Sequence, residues 1–60
     1  MIFEKSIHEL RKIIATYRPK GKFIGFEEGK YIAVDNSDGN SWTEEFNTRE
    51  EAEKWLEGSE

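Results

Sequence analysis

Lys22-Phe23-Ile24-Gly25-Phe26-Glu27-Glu28-Gly29-Lys30-Tyr31-Ile32-Ala33-Val34-Asp35 is the stretch whose reading decides the fold. Two runs rich in β-branched and aromatic residues, 22–27 and 30–35, flank the pair Glu28-Gly29. Two residues ending in glycine are what a tight hairpin turn requires, so these fourteen positions read as two antiparallel strands. Downstream, Asn36-Ser37-Asp38-Gly39-Asn40 is loop chemistry, because Asn and Asp side chains bond their own backbone and glycine accepts positive φ. Ser41 to Phe46 then alternates about Trp42 and Phe46 and reads as a third strand, 41–46. Connections this short favour an antiparallel three-stranded meander.

The segments on either side have helical period. Phe3, Ile7, Leu10, Ile13, Ile14 and Tyr17 fall on one stripe at 100° per residue, predicting an amphipathic helix over about 4–17. Ser6-Ile7-His8-Glu9 has the S-x-x-E form of a capping box, and Arg18-Pro19 stops the helix because the residue before proline is pushed out of the α region. Thr48-Arg49-Glu50-Glu51 is a second such box. Ala52, Trp55 and Leu56 follow at i, i+3 and i+4, predicting a helix over about 48–57 with Gly58 as its cap.

The expected architecture is thus a single α+β domain, residues 1–60, ordered helix, three strands, helix (α-β-β-β-α). Both helices are expected to pack on one face of a three-stranded antiparallel sheet. That covered face is assigned Ile24, Phe26, Ile32, Val34, Trp42 and Phe46. The open face is assigned Phe23, Tyr31, Ala33, Thr43 and Glu45. Glu44 lies between Trp42 and Phe46 and conflicts with a buried strand, which points to a bulge or an edge position there.

Sixty residues leave room for one small domain, which buries only about 60% of its unfolded surface. Leu, Ile, Val and Phe total 13 of 60, just above the roughly 20% below which chains tend to disorder. There is no cysteine, which excludes disulfides, thiolate metal sites and a cysteine nucleophile. No apolar run approaches the ~18 residues of a membrane-crossing helix. A cytoplasmic protein with no membrane anchor is expected. Charge is uneven along the chain. Residues 1–30 carry seven Lys/Arg and four Asp/Glu, whereas residues 31–60 carry two and nine. Such asymmetry marks a polar partner surface if the fold keeps the two signs apart, and vanishes if a basic helix packs beside an acidic one.

Chemistry-bearing residues are sparse. His8, the single histidine, falls on the solvent face of the first helix with Lys5 and Lys12, without the pocket and orienting partner that a general base needs. The loop from Asp35 to Asn40 fails as a calcium loop in either register: Gly39 at the sixth position puts Val34 first, and Asp35 first puts Asn40 at the glycine position. Paired carboxylates (Glu27/Glu28, Glu44/Glu45, Glu50/Glu51) read as surface decoration. No Ser/His/Asp set, phosphate loop or metal cluster is present. No cofactor, no metal and no catalysis are expected. The open face with Phe23, Tyr31, Ala33 and Thr43 makes an apolar strip of the kind that docks a protein partner or a second copy. The alternative is a nucleic-acid patch of Arg11, Lys12, Arg18, Lys20 and Lys22 beside aromatics. A variant of the protein-docking expectation has Asp35, Asp38, Glu44, Glu45 and Glu50 imitating a nucleic-acid backbone.

The helix-strand-strand-strand-helix order resembles that of double-stranded RNA-binding domains. In that family the second helix opens with a basic S-K-K-x-A-K cluster that grips phosphates. Here Thr48, Arg49 and Ala52 match that cluster, while Glu50 and Glu53 stand in place of lysines, so the resemblance implies the fold order without the grip. Phe46-Asn47-Thr48-Arg49-Glu50-Glu51-Ala52 also resembles the strand-to-helix join of two other groups. These are the arm-binding domains of tyrosine integrases and the hybrid-binding domain of ribonuclease H, both of which bind through basic surfaces. As a whole the chain resembles small proteins of unassigned role from bacterial and phage genomes. The expectation is a small protein-interaction or regulatory module.

Overall fold

A computed structural model describes residues 1–58. Its elements are β1 (Ile2–Glu4), α1 (Ile7–Thr16), β2 (Lys22–Glu27), β3 (Lys30–Asp35), β4 (Trp42–Phe46) and α2 (Arg49–Gly58). The chain is α+β, but its sheet is four-stranded and mixed, in the order β1-β2-β3-β4. This corrects the expected three-stranded antiparallel sheet. β1 pairs parallel to β2, with Phe3 opposite Phe23, and the Lys5 N–H continues the pairing to the Ile24 carbonyl at 2.9 Å. Phe3 therefore belongs to a strand, although its spacing also fits the helical stripe. The helix begins only at Ile7, where Ser6 accepts from the Glu9 N–H and the Glu9 side chain accepts from the Ser6 N–H, a complete capping box. Tyr17, left-handed at φ 59°, closes it through its N–H to the Ile13 carbonyl.

The hairpin turn fixes how the rest assembles. Glu28 and Gly29 both have positive φ, 52° and 79°, which is what the turn that matches strand twist requires. It pairs Glu27 with Lys30, and so Phe26 with Tyr31, Ile24 with Ala33 and Phe23 with Val34. Phe23, Ile32 and Val34 then share one face with Leu10 and Ile13 of α1. Ile24 and Ala33 share the other with Ala52 and Leu56 of α2. The helices lie on opposite faces of the sheet, which corrects the expectation that both cover one face. The β2 and β4 assignments keep their relative faces; β3 is turned over by one residue.

Two further features lock the layers. Gly25 lies beneath α1, where an added Cβ would sit 2.5 Å from Leu10 Cδ1 and 3.0 Å from the Lys5 carbonyl oxygen. The loops at the opposite end of the sheet from the hairpin are tied by Asn36, which is fully buried. Its Nδ2 donates to the Pro19 carbonyl at 2.7 Å and its Oδ1 accepts from the Ser41 N–H at 3.0 Å. Its backbone exchanges both hydrogen bonds with Gly21. Ser41 Oγ lies within reach of Asn36 Oδ1 and of the Ile13 carbonyl, and its single proton serves either. Gly25→Ala is expected to destabilise the domain by about 1–3 kcal/mol by forcing α1 off the sheet. Urea denaturation checks this, and an unchanged midpoint would remove Gly25 from the account of the packing.

Candidate functional site

The four residues assigned to an open face do not form one surface. Phe23 and Ala33 are buried, under α1 and α2 respectively. Tyr31 is half-buried on the α2 face, its ring 4.8 Å from that of Phe26. Thr43 is exposed on the α1 face of β4, and its Oγ1 donates to the Ser41 carbonyl at 3.0 Å. The register explains the separation, because pairing Phe23 with Val34 puts Phe23 and Tyr31 on opposite sides.

The five basic candidates also divide. The Arg11 guanidinium lies 3.0 Å from Glu27 in an ion pair across α1 and β2. Lys22 points to the other face, where its Nζ donates to the Leu56 carbonyl at 2.6 Å and so caps the end of α2. Lys12 on α1 and Arg18 and Lys20 in the following loop are exposed, with no ion pair among the described residues. Tyr17 beside them is also exposed. The helices α1 and α2 lie on opposite faces, but the two halves of the chain meet at the loops, where a Cβ at Gly39, next to Asp38, would lie 3.7 Å from Lys20 Cε. Arg49, the cation at the start of α2, is engaged by Glu53 at 2.7 Å and by Glu4 of β1 at 3.2 Å.

Among the acidic candidates, Asp35 and Asp38 are occupied within the loop. Asp35 is buried, and its Oδ1 accepts from the N–H and Oγ of Ser37. Asp38 accepts from the backbone and side chain of Asn40 and, at 3.4 Å, from the Trp42 indole. The Asn40 N–H, ahead of the Asn40 side chain and the indole, holds the Asp38 carboxyl below its usual range. Glu44, Glu45 and Glu50 are exposed, with Glu44 on the α2 face of β4 and Glu45 on the α1 face. Among the described residues, no group of three or more His, Cys, Asp or Glu could hold a metal ion, and no helix is long and apolar enough to cross a membrane. His8 is exposed on α1.

Sequence reasoning counted Phe26 and Trp42 as core, yet they are 56% and 59% exposed. Both lie on the α2 face, beyond the reach of a helix ten residues long. β4 is the outermost strand, paired only to β3, and four of its five residues are exposed. The signal available in sequence was Glu44: a charge on the same face as two aromatics marks a strand that the neighbouring helix leaves uncovered. Compared with family models, with curated proteins and with solved structures, the chain shows no match.

Protonating Asp38 releases the Asn40 and Trp42 hydrogen bonds. Its lowered pKa means that this tie is intact at neutral pH and is lost as pH falls through the folded-state value. On acidification, the Asn40 amide and Trp42 indole resonances are expected to move together, with a midpoint below the usual carboxylate range, and to stay still in Asp38→Asn. A midpoint within the usual range would show that the loop does not hold the carboxylate.

Proposed function

We propose that this chain is a small cytoplasmic interaction module without chemistry of its own, which docks a protein partner along the free edge of β4 and the indole of Trp42. The observation that supports this best is an outermost strand with four of its five residues exposed, including a tryptophan 59% exposed at one end. An unpaired strand edge carries backbone donors and acceptors that a partner strand satisfies, and an exposed indole adds a large apolar contact. This moves the docking surface from the expected strip of Phe23, Tyr31, Ala33 and Thr43 to its one exposed member, Thr43, and the strand that carries it. Site-specific photocrosslinking in the cells that express the protein tests the reading. A probe at Thr43 is expected to give a discrete adduct, while one at Ala15 on the exposed side of α1 gives none. Equal labelling from both positions, or none from either, would overturn it.

A second reading has one observation in its favour. Lys12, Arg18 and Lys20 are exposed and make no ion pair among the described residues, and Tyr17, next to Arg18 in the chain, exposes its ring. Cations beside an aromatic ring suit single-stranded nucleic acid. Three exposed cations bind phosphates in a way that weakens steeply with salt. Mixed oligonucleotides are expected to shift the amides of residues 12–20 at low salt and to lose the effect as salt rises. Silence at low salt would exclude this class.

A further inference from the structure

We propose that the β4 edge accepts an extended basic segment of a partner protein as a fifth strand, with consecutive Lys or Arg residues meeting Glu45 and Glu44 on the two faces. The inference rests on the reading of β4 as the docking edge and names the chemistry of what docks there.

The register places the two carboxylates. Ile32 lies opposite Glu45 and Ala33 opposite Glu44, so successive residues of β4 carry one negative charge on each side of the sheet. Both are exposed, and neither makes an ion pair among the described residues. Trp42 shares the α2 face with Glu44, two positions away, and Asp38 holds its indole nitrogen at 3.4 Å. An added strand brings its side chains to about 4.5–5.5 Å from those directly opposite. Two consecutive cations on that strand point to opposite faces, as Glu44 and Glu45 do. A further cation on the α2 face reaches the Trp42 ring, whose face attracts positive charge.

The same charges exclude other occupants. A second copy pairing β4 to β4 antiparallel about Glu44 would set Glu44 against Glu44, and like charges directly opposite destabilise a sheet pair. β1, the other edge of the sheet, is three residues long and offers Glu4 in place of a cation. Lys22 and Lys30 stand singly at the starts of β2 and β3, and the other basic residues of the first half lie in α1 and the loops beside it, so no strand among the described residues carries two consecutive cations to donate. Nucleic acid is repelled by carboxylates on both faces. The edge therefore disfavours self-pairing in that register and favours a cationic strand, combining attraction with repulsion.

The test titrates the isotopically labelled chain with a short Val-Lys-Lys-Val-Thr peptide and with its Val-Glu-Glu-Val-Thr counterpart. The lysine peptide is expected to shift residues 42–46 saturably and to slow amide exchange there, while the glutamate peptide does neither. Reversing both charges (Glu44→Lys with Glu45→Lys) is expected to weaken the lysine peptide by about tenfold or more and to admit the glutamate peptide. Both positions are exposed, so the fold survives, as unchanged resonances in α1 and β2 would verify. The milder pair Glu44→Gln with Glu45→Gln is expected to fall between. Equal binding of the two peptides, shifts confined to α1, no shift at all, or a concentration-dependent dimer that buries β4 would each overturn the proposal. If the lysine peptide fails while the Thr43 adduct persists, the preference for a basic strand falls and the docking edge stands; if both fail, both readings fall.

Discussion

The two-residue turn at Glu28-Gly29 is the constraint on which the rest of the structure depends. With both residues at positive φ, the strands leave the turn with Glu27 opposite Lys30, and every later pair follows by counting. The side-chain period of a strand is two, so a slip of one residue would exchange the faces of β3 completely. Val34 and Ile32 would leave α1 and Ala33 would leave α2. The small Ala33 is what allows α2 to approach, since Ala52 and Leu56 pack against it with all three fully buried. The turn thus decides which helix each face receives, and that each face receives one.

Dividing the apolar residues between two faces leaves two small clusters in place of one core. A domain of this size has little burial to spare, and polar groups fix what the clusters alone leave loose. Lys22 crosses to the α2 face and bonds the Leu56 carbonyl, fastening the far end of that helix to β2. Arg49 fastens the near end to Glu4 of β1. Asn36 satisfies the backbone of Pro19, Gly21 and Ser41 from a fully buried position, where an unmet carbonyl or amide would cost about 1–3 kcal/mol. None of the described buried side-chain polar atoms is left without a partner.

Most of the local structure was legible in the sequence, because it is set by local chemistry. The capping box at Ser6, the Thr48 oxygen that accepts from the Glu51 N–H, and the β-rich runs on either side of a turn ending in glycine all act within a few residues. Long-range pairing was harder to read. Ile2-Phe3-Glu4 is too short for a period of two to be distinguished from the helical spacing of Phe3 and Ile7, and its partner β2 lies eighteen residues beyond it. The face of β3 was legible in principle: the turn at Glu28-Gly29 dictates that Phe26 meets Tyr31, but hydrophobicity favoured grouping Ile24 and Phe26 with Ile32 and Val34. The candidate site was lost by the same slip, since it joined Phe23 to Tyr31 across a sheet that keeps them apart. Phe26 and Trp42 were misjudged because period shows which face a residue occupies and does not show how far a helix extends over that face.

The placement of the helices also decides what the charge asymmetry means. A basic and an acidic helix packed side by side would neutralise each other across their contact. Here the sheet lies between them, and the ion pairs that do form, Arg11 with Glu27 and Arg49 with Glu4 and Glu53, join each helix to its own surroundings. Lys12 lies on the α1 side with Glu45; Glu44 and Glu50 lie on the α2 side; Arg18 and Lys20 lie in the loop after α1. The exposed cations Lys12, Arg18 and Lys20 and the exposed carboxylates of β4 stand on different elements, and screening over about 8–10 Å at physiological salt limits how far either set weakens the other. The protein-docking and nucleic-acid readings therefore use residues that do not overlap. Substitutions on β4 and substitutions around Arg18 separate them cleanly, which a single mixed surface would not permit.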